Sequence, residues 1–263
     1  MRRLWLIGCG NMAGGMLRQW LASGTLAASD VAVVNRTDRA LPEGVIQARS
    51  LPEGPLPDAV LLAMKPQQID EVAAAHGARI AGVPLLVSIL AGVEEAAIAW
   101  RFSAGAIVRA MPNLPVGIGK GVVALHSETA DPAVCDAVSG LMAPLGLVEW
   151  VAPDLFDAVT ALAGSGPGFL YRYIDAMAAA GAALGIPADQ AARLALATVE
   201  GSALLAAAAD VPPATLADRV ASPGGSTRKG LDVLDNDAAL VRLLTATLEA
   251  STARNAEMAA AAR

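Results

Sequence analysis

The stretch Leu4-Trp5-Leu6-Ile7-Gly8-Cys9-Gly10-Asn11-Met12-Ala13 decides the fold. A short apolar run enters Gly-x-Gly, and helix-compatible residues follow. The spacing matches G-x-G-x-x-[G/A]. In that motif the glycines permit a tight turn and let backbone N–H groups approach a pyrophosphate at a helix N-terminus. The motif alone is weak; a strand before it, a helix after it and a second strand at the expected distance strengthen it. A plain glycine-rich turn is the competing interpretation.

Working outward, short Val/Leu/Ile-rich runs recur at Leu4–Ile7, Val31–Val34, Val60–Met64, Pro84–Ile89, Ile107–Ala110, Val122–Leu125 and Leu147–Val151. Helical stretches such as Met12–Ser23, Glu94–Phe102 and Pro132–Met142 lie between them. Continuous apolar strands, as opposed to alternating ones, predict a parallel sheet covered on both faces. From about Ala152 the strand-like runs stop. Ala-rich helical segments follow at Asp154–Ala163, Phe169–Leu184, Ala188–Ala208 and Ala238–Ala261. The expected class is α/β: an N-terminal Rossmann-like doubly wound sheet over residues 1–151, plus an all-α C-terminal dimerisation domain over 152–263. Several of the later helices are apolar nearly all round, so a homodimer through that half, with a larger oligomer open, is the expected way to cover them.

Of 263 residues, 55% are hydrophobic and 3% aromatic, which supplies a large core of small side chains. The net charge of −6, without a basic stripe, argues against nucleic acid and anionic membrane as partners. Cys9 and Cys135 lie far apart, and with His76 and His126 they complete no disulfide framework or metal motif. Neither histidine is expected to take part in catalysis. A reducing, cytoplasmic setting follows as the default. Arg2-Arg3 before the apolar run resembles the start of a signal peptide, but Leu4–Ile7 is shorter than the about 7–15 residues such a segment needs. The longest uncharged apolar stretch, Ala176–Ala188, is below the ~18–20 residues needed to cross a bilayer.

The second strand ends in Asn35-Arg36-Thr37, where an NAD enzyme usually carries an acid for the ribose. Arg36 can pair with a 2′-phosphate while Asn35 and Thr37 donate hydrogen bonds, which favours NADPH over NADH. The competing reading makes Arg36 a solvated charge and gives the ribose to Asp38. Ala63-Met64-Lys65-Pro66 ends the third strand, and Ala91 follows the fourth, at the sheet edge where ligands sit. Asn113 lies in Arg109-Ala110-Met111-Pro112-Asn113-Leu114-Pro115. The cofactor candidates are thus Gly8, Cys9, Gly10, Asn11, Met12, Asn35, Arg36, Thr37, Ala63, Met64, Lys65, Pro66, Ala91 and Asn113.

Ser222-Pro223-Gly224-Gly225-Ser226-Thr227 precedes a helix expected near Arg228. Free N–H groups there would form a nest for an anion such as a carboxylate; a ligand-free N-cap turn is equally consistent.

Taken with Gly164-Ser165-Gly166-Pro167 and Ser88–Val93, these segments resemble the pyrroline-5-carboxylate reductase family, from Leu4 to about Glu257. The resemblance implies NAD(P)H-dependent reduction of the ring C=N of 1-pyrroline-5-carboxylate to L-proline. It implies that Ser222, Gly224, Gly225, Ser226 and Thr227 bind the substrate, with the Thr227 hydroxyl as the catalytic group near the ring nitrogen. It also implies an active site formed between two subunits. Leu114, Lys120 and Arg219 depart from the family pattern. A protonated cyclic imine accepts hydride readily, so positioning and a dry pocket suffice and no catalytic His or carboxylate is required. A β-hydroxyacid dehydrogenase is the competing enzyme class, and it would carry Lys where Leu170 stands. A reductase of a related cyclic imine acid would share the same loops. A non-catalytic NADPH-binding protein would keep the cofactor loop but have no use for the carboxylate loop.

Overall fold

The computed structural model describes residues 3–262; Arg2 lies outside the described residues. Eight strands form one sheet: β1 (Leu4–Ile7), β2 (Val31–Val34), β3 (Ile46–Ala48), β4 (Ala59–Leu62), β5 (Val83–Ser88), β6 (Ala104–Pro112), β7 (Gly121–His126) and β8 (Gly146–Trp150). Their order is β3-β2-β1-β4-β5-β6-β7-β8. The strands from β3 through β6 are parallel, β7 turns antiparallel to β6, and β8 runs parallel to β7.

Helices cover both faces, which is why the strands read as unbroken apolar runs. Leu4, Leu6, Val33 and Leu61 face α1 (Asn11–Ala22) and α4 (Pro132–Met142), where Trp20 is fully buried and donates its indole N–H to the Leu141 carbonyl at 2.7 Å. Trp5, Ile7, Val60 and Leu62 face α2 (Ile69–Ile80) and α3 (Glu95–Arg101). The expected strands match in place, with two differences. β6 is longer than its apolar run, and β3 is additional, because Ile46-Gln47-Ala48 is too short and half-exposed to show a pattern.

Beyond β8 no strand occurs among the described residues. The helices are α5 (Phe156–Val159), α6 (Gly166–Ala183), α7 (Ala188–Ala208), α8 (Pro213–Val220), α9 (Ser226–Asp235) and α10 (Ala239–Ala262). The chain forms two compact units: one reaches Ser165 and resumes at Ala250, and the other is Gly166–Glu249. The change to all-helix falls where expected, after residue 151, but the compact division falls later. The reason is local packing: Asn255 Nδ2 donates to the Asp157 carbonyl at 3.2 Å, and the Ser165 and Ser251 hydroxyls lie 3.3 Å apart. These contacts keep α5 and the end of α10 with the sheet.

In the second unit α6 and α7 pack as a hairpin around the turn at Gly185 (φ +97°). α6 buries none of its residues, and α7 buries only Ala191 and Ala195. By length and composition α7 is the one described helix apolar enough to cross a membrane. The uncharged-run criterion misses it because α7 carries Asp189, Arg193 and Glu200.

Candidate active site

In the first unit the chain leaves β1 for β2 on one side and places β4 on the other, so the carboxyl ends of β1 and β4 flank the switch point of the sheet. Ligands of open α/β sheets sit at that crevice. Gly8 stands at its floor with φ +89°, and a Cβ there would lie 2.7 Å from the Met64 nitrogen. Its N–H donates to the Val34 carbonyl at 2.8 Å. Only glycine meets both the backbone angle and the close approach of the β4 end. Above it opens a cleft of about 330 Å³.

The cleft brings together Gly8, Cys9, Gly10, Asn35, Arg36, Thr37, Ala63, Met64 and Lys65. Asn11 lines a neighbouring cleft of about 300 Å³ with Cys9, Gly10, Arg18 and Arg39. Met12, Pro66, Ala91 and Asn113 line neither. Sequence reasoning misses Arg39, Arg49, Gln68, Glu71, Val72 and His76. His76 carries no motif, yet it lines the cleft wall, and burial lowers its pKa.

Two expected roles change. The buried Asn35 side chain does not stand free as a ligand donor. Its Oδ1 accepts the Cys9 N–H at 2.8 Å, and its Nδ2 donates to Gln47 Oε1 at 2.9 Å. The Cys9 N–H is therefore consumed inside the protein. The donors left for a pyrophosphate are the first-turn N–H groups of α1, whose Gly10 cap offers no side chain to satisfy them. Asp38, the alternative ribose partner, is held by Arg49 at 3.0 Å.

Asn113 is buried and bonded through both ends of its amide. Its Oδ1 accepts the Val122 N–H at 2.8 Å, and its Nδ2 donates to the Ala163 carbonyl at 3.0 Å. Both groups are tied within the first unit, and the residue lines neither cleft, so the expected cofactor contact is not visible there. Nearby, the Arg109 guanidinium lies 4.1 Å over the Phe156 ring; burial lowers its pKa, against the pull of Asp157, Glu94 and Glu95.

In the second unit, Ser222–Gly225 forms a tight turn. The Gly225 N–H donates to the Ser222 carbonyl at 2.9 Å, and Gly224 has φ +73°. Pro223 followed by glycine with positive φ is the signature of a type II turn. α9 then begins at Ser226, two residues before the expected start at Arg228. The Gly225 N–H is thus used within the turn and is not offered outward, contrary to expectation. The N–H groups of Ser226, Thr227 and Arg228, in the first turn, have no intrahelical acceptor. Gly225 at the cap provides no side-chain acceptor either. Ser222, Gly224, Ser226 and Thr227 are all exposed. Arg228 is held by Asp232 at 2.9 Å and Asp235 at 2.8 Å on α9 and by Asp218 at 3.4 Å on α8, so its charge is already committed.

A glycine turn at the switch point of a doubly wound sheet, followed by a helical half that contains an open helix-entry turn, is the arrangement of a dinucleotide-binding oxidoreductase with a helical partner domain. Residues 153–258 match the pyrroline-5-carboxylate reductase dimerisation model, and residues 3–92 match the NADP oxidoreductase, coenzyme F420-dependent, model. The chain is 36% identical to the pyrroline-5-carboxylate reductase of Synechocystis over 89% of its length and 90% of the relative. It is 33% identical to that of Pseudomonas aeruginosa over 98% of its length and 97% of the relative. The solved pyrroline-5-carboxylate reductase of Coxiella burnetii superposes with a TM-score of 0.88 at 31% identity, covering 98% of each chain. The chain belongs to the pyrroline-5-carboxylate reductase family.

Proposed function

We propose that this chain reduces 1-pyrroline-5-carboxylate to L-proline with NADPH, with hydride added to C5 of the cyclic imine. One observation carries the reading. A single chain, related over nearly its whole length to such reductases, combines an open cleft at the switch point with an exposed helix-entry turn whose N–H groups are unspent.

Bound NADPH supplies the hydride. The chain supplies position and charge. The first turn of α1 holds the pyrophosphate, with Gly8, Gly10 and Asn11 shaping its seat. Arg36 and Thr37 would take the ribose and its 2′-phosphate, while Asp38 is drawn to Arg49. Ala63, Met64 and Lys65 form the opposite wall. On the substrate, the N–H groups of Ser226 and Thr227 take the carboxylate. The Ser222–Gly225 turn lets it approach, because Gly224 carries no Cβ. The Thr227 hydroxyl hydrogen-bonds the ring nitrogen, which enters protonated and leaves as a secondary amine.

The exposed apolar faces of α6 and α7 support a homodimer. The setting that fits such a biosynthetic enzyme is the cytoplasm. The test is NADPH oxidation by the purified chain with five- and six-membered cyclic imine acids, with NADH as comparison. Turnover of the five-membered ring with NADPH is expected; turnover of neither ring sinks the reading.

A further inference from the structure

We infer that Arg39, held in place by Gln47, is a specificity-determining residue for the cofactor's 2′-phosphate, beyond the role given to Arg36. The inference rests on the NADPH reading above and deepens it.

The loop leaving β2 and the strand β3 beside it carry three arginines, and they are not equivalent. Arg36 lies 3.7 Å from Glu71. Arg49 donates to the Asn35 carbonyl at 3.1 Å and pairs with Asp38 at 3.0 Å. Arg39 makes no ion pair among the described residues, and it lines both clefts. The second of these clefts joins Arg39 to Arg18 and to the Gly10-Asn11 entry of α1, with no carboxylate in its lining. Arg18 sits over the same turn, since a Cβ on Gly14 would lie 3.4 Å from its guanidinium. Arg39 thus reaches from the α1 entry, where the pyrophosphate is seated, into the cleft that holds Arg36 and Thr37, and a guanidinium without a carboxylate partner among the described residues suits a phosphate dianion there. The electrostatics agree: burial raises the Cys9 thiol pKa, and Arg18 and Arg39 both act against that rise.

The backbone of Arg39 is fixed from both sides. Gln47 Oε1 accepts the Arg39 N–H at 3.2 Å, and Gln47 Nε2 donates to the Arg39 carbonyl at 3.1 Å. The same Oε1 accepts from Asn35, whose Oδ1 accepts the Cys9 N–H. One chain of hydrogen bonds therefore runs from the pyrophosphate turn through Asn35 and Gln47 to Arg39. It sets the spacing between the two anion positions before any ligand arrives, which lowers the ordering cost of binding. Gln47 is a positioning residue in this arrangement, carried by β3 beside β2.

The test is calorimetric binding of 2′,5′-ADP and of 5′-AMP, which differ only by the 2′-phosphate. Wild type is expected to bind 2′,5′-ADP at least about tenfold more tightly. Arg39→Gln, on the surface, should weaken 2′,5′-ADP by about 10–100-fold and 5′-AMP by less than about threefold. Gln47→Leu should weaken 2′,5′-ADP selectively by about 3–10-fold, and should raise KM for NADPH more than it lowers kcat. Equal losses for both nucleotides, or none, in Arg39→Gln overturn the assignment and leave the NADPH reading standing. A wild-type protein that binds both nucleotides alike removes that reading and this inference together.

Discussion

Asn113 Nδ2 donates to the carbonyl of Ala163 at 3.0 Å. In an α-helix that carbonyl would receive the N–H four residues on, and that residue is Pro167, which has none. The chain around it widens into a π-turn over Thr160–Gly164, with the Ser165 N–H reaching back to the Thr160 carbonyl at 3.0 Å. A side chain from the end of β6 thus repairs the backbone bond that proline removes. Asn113→Ala would leave both the Ala163 carbonyl and the Val122 N–H without partners in a half-buried setting. A loss of about 1–3 kcal/mol is expected, read by urea unfolding. A loss under about 0.5 kcal/mol would show that water or a rearranged turn replaces the amide.

Gly8→Ala puts a methyl group against the Met64 nitrogen at a φ of +89°. The strain is on the order of 1–3 kcal/mol, and relief requires the end of β4 to move out of the cleft wall. Lower thermal stability together with a KM for NADPH raised more than about tenfold is the expected result. A variant with unaltered cofactor affinity would contradict the placement of the pyrophosphate turn.

Thr227 is exposed at the start of α9, so its hydroxyl contributes little to folding. Thr227→Val is expected to melt like wild type while kcat/KM falls about 10–100-fold, the worth of one well-placed hydrogen bond. Unchanged kinetics would remove the hydroxyl from the reaction.

Burial holds the Cys9 thiol above its ordinary pKa of 9.0, although Arg18 and Arg39 pull the other way. The folded protein then binds this proton more tightly than the unfolded chain does. The sign follows: the contribution is intact below about pH 9 and is lost as pH rises through the folded value. Urea titrations across about pH 8–10.5 are expected to show an alkaline decline that is shallower in Cys9→Ala. At neutral pH iodoacetamide should label the half-buried Cys135 well before Cys9.

Leu194, Leu196, Leu204 and Leu205 on α7 are each more than half exposed in the single chain. Static light scattering should give a mass of two or more chains, with Leu204→Glu and Leu205→Glu together driving the equilibrium toward monomer and lowering activity. A wild-type monomer with full turnover would refute the dimer.

The sequence by itself determined the sheet, the glycine turn and the family. Those depend on local signals: unbroken apolar runs, a Gly-x-Gly after the first of them, and the Pro-Gly pair at Pro223-Gly224, each of which fixes backbone geometry within a few residues. Only the tertiary structure decided what Asn35, Asn113 and Gln47 do. Each is a polar residue in a loop or in a short strand, and its hydrogen bonds run to partners between 8 and 50 positions away. Asn35 and Asn113 read as ligand donors because an amide just past the end of a strand has that chemistry. The fold satisfied them internally, since a buried amide without a protein partner is costly. Gln47 gave no signal at all, because a three-residue strand carries no periodicity and its meaning comes from lying beside β2.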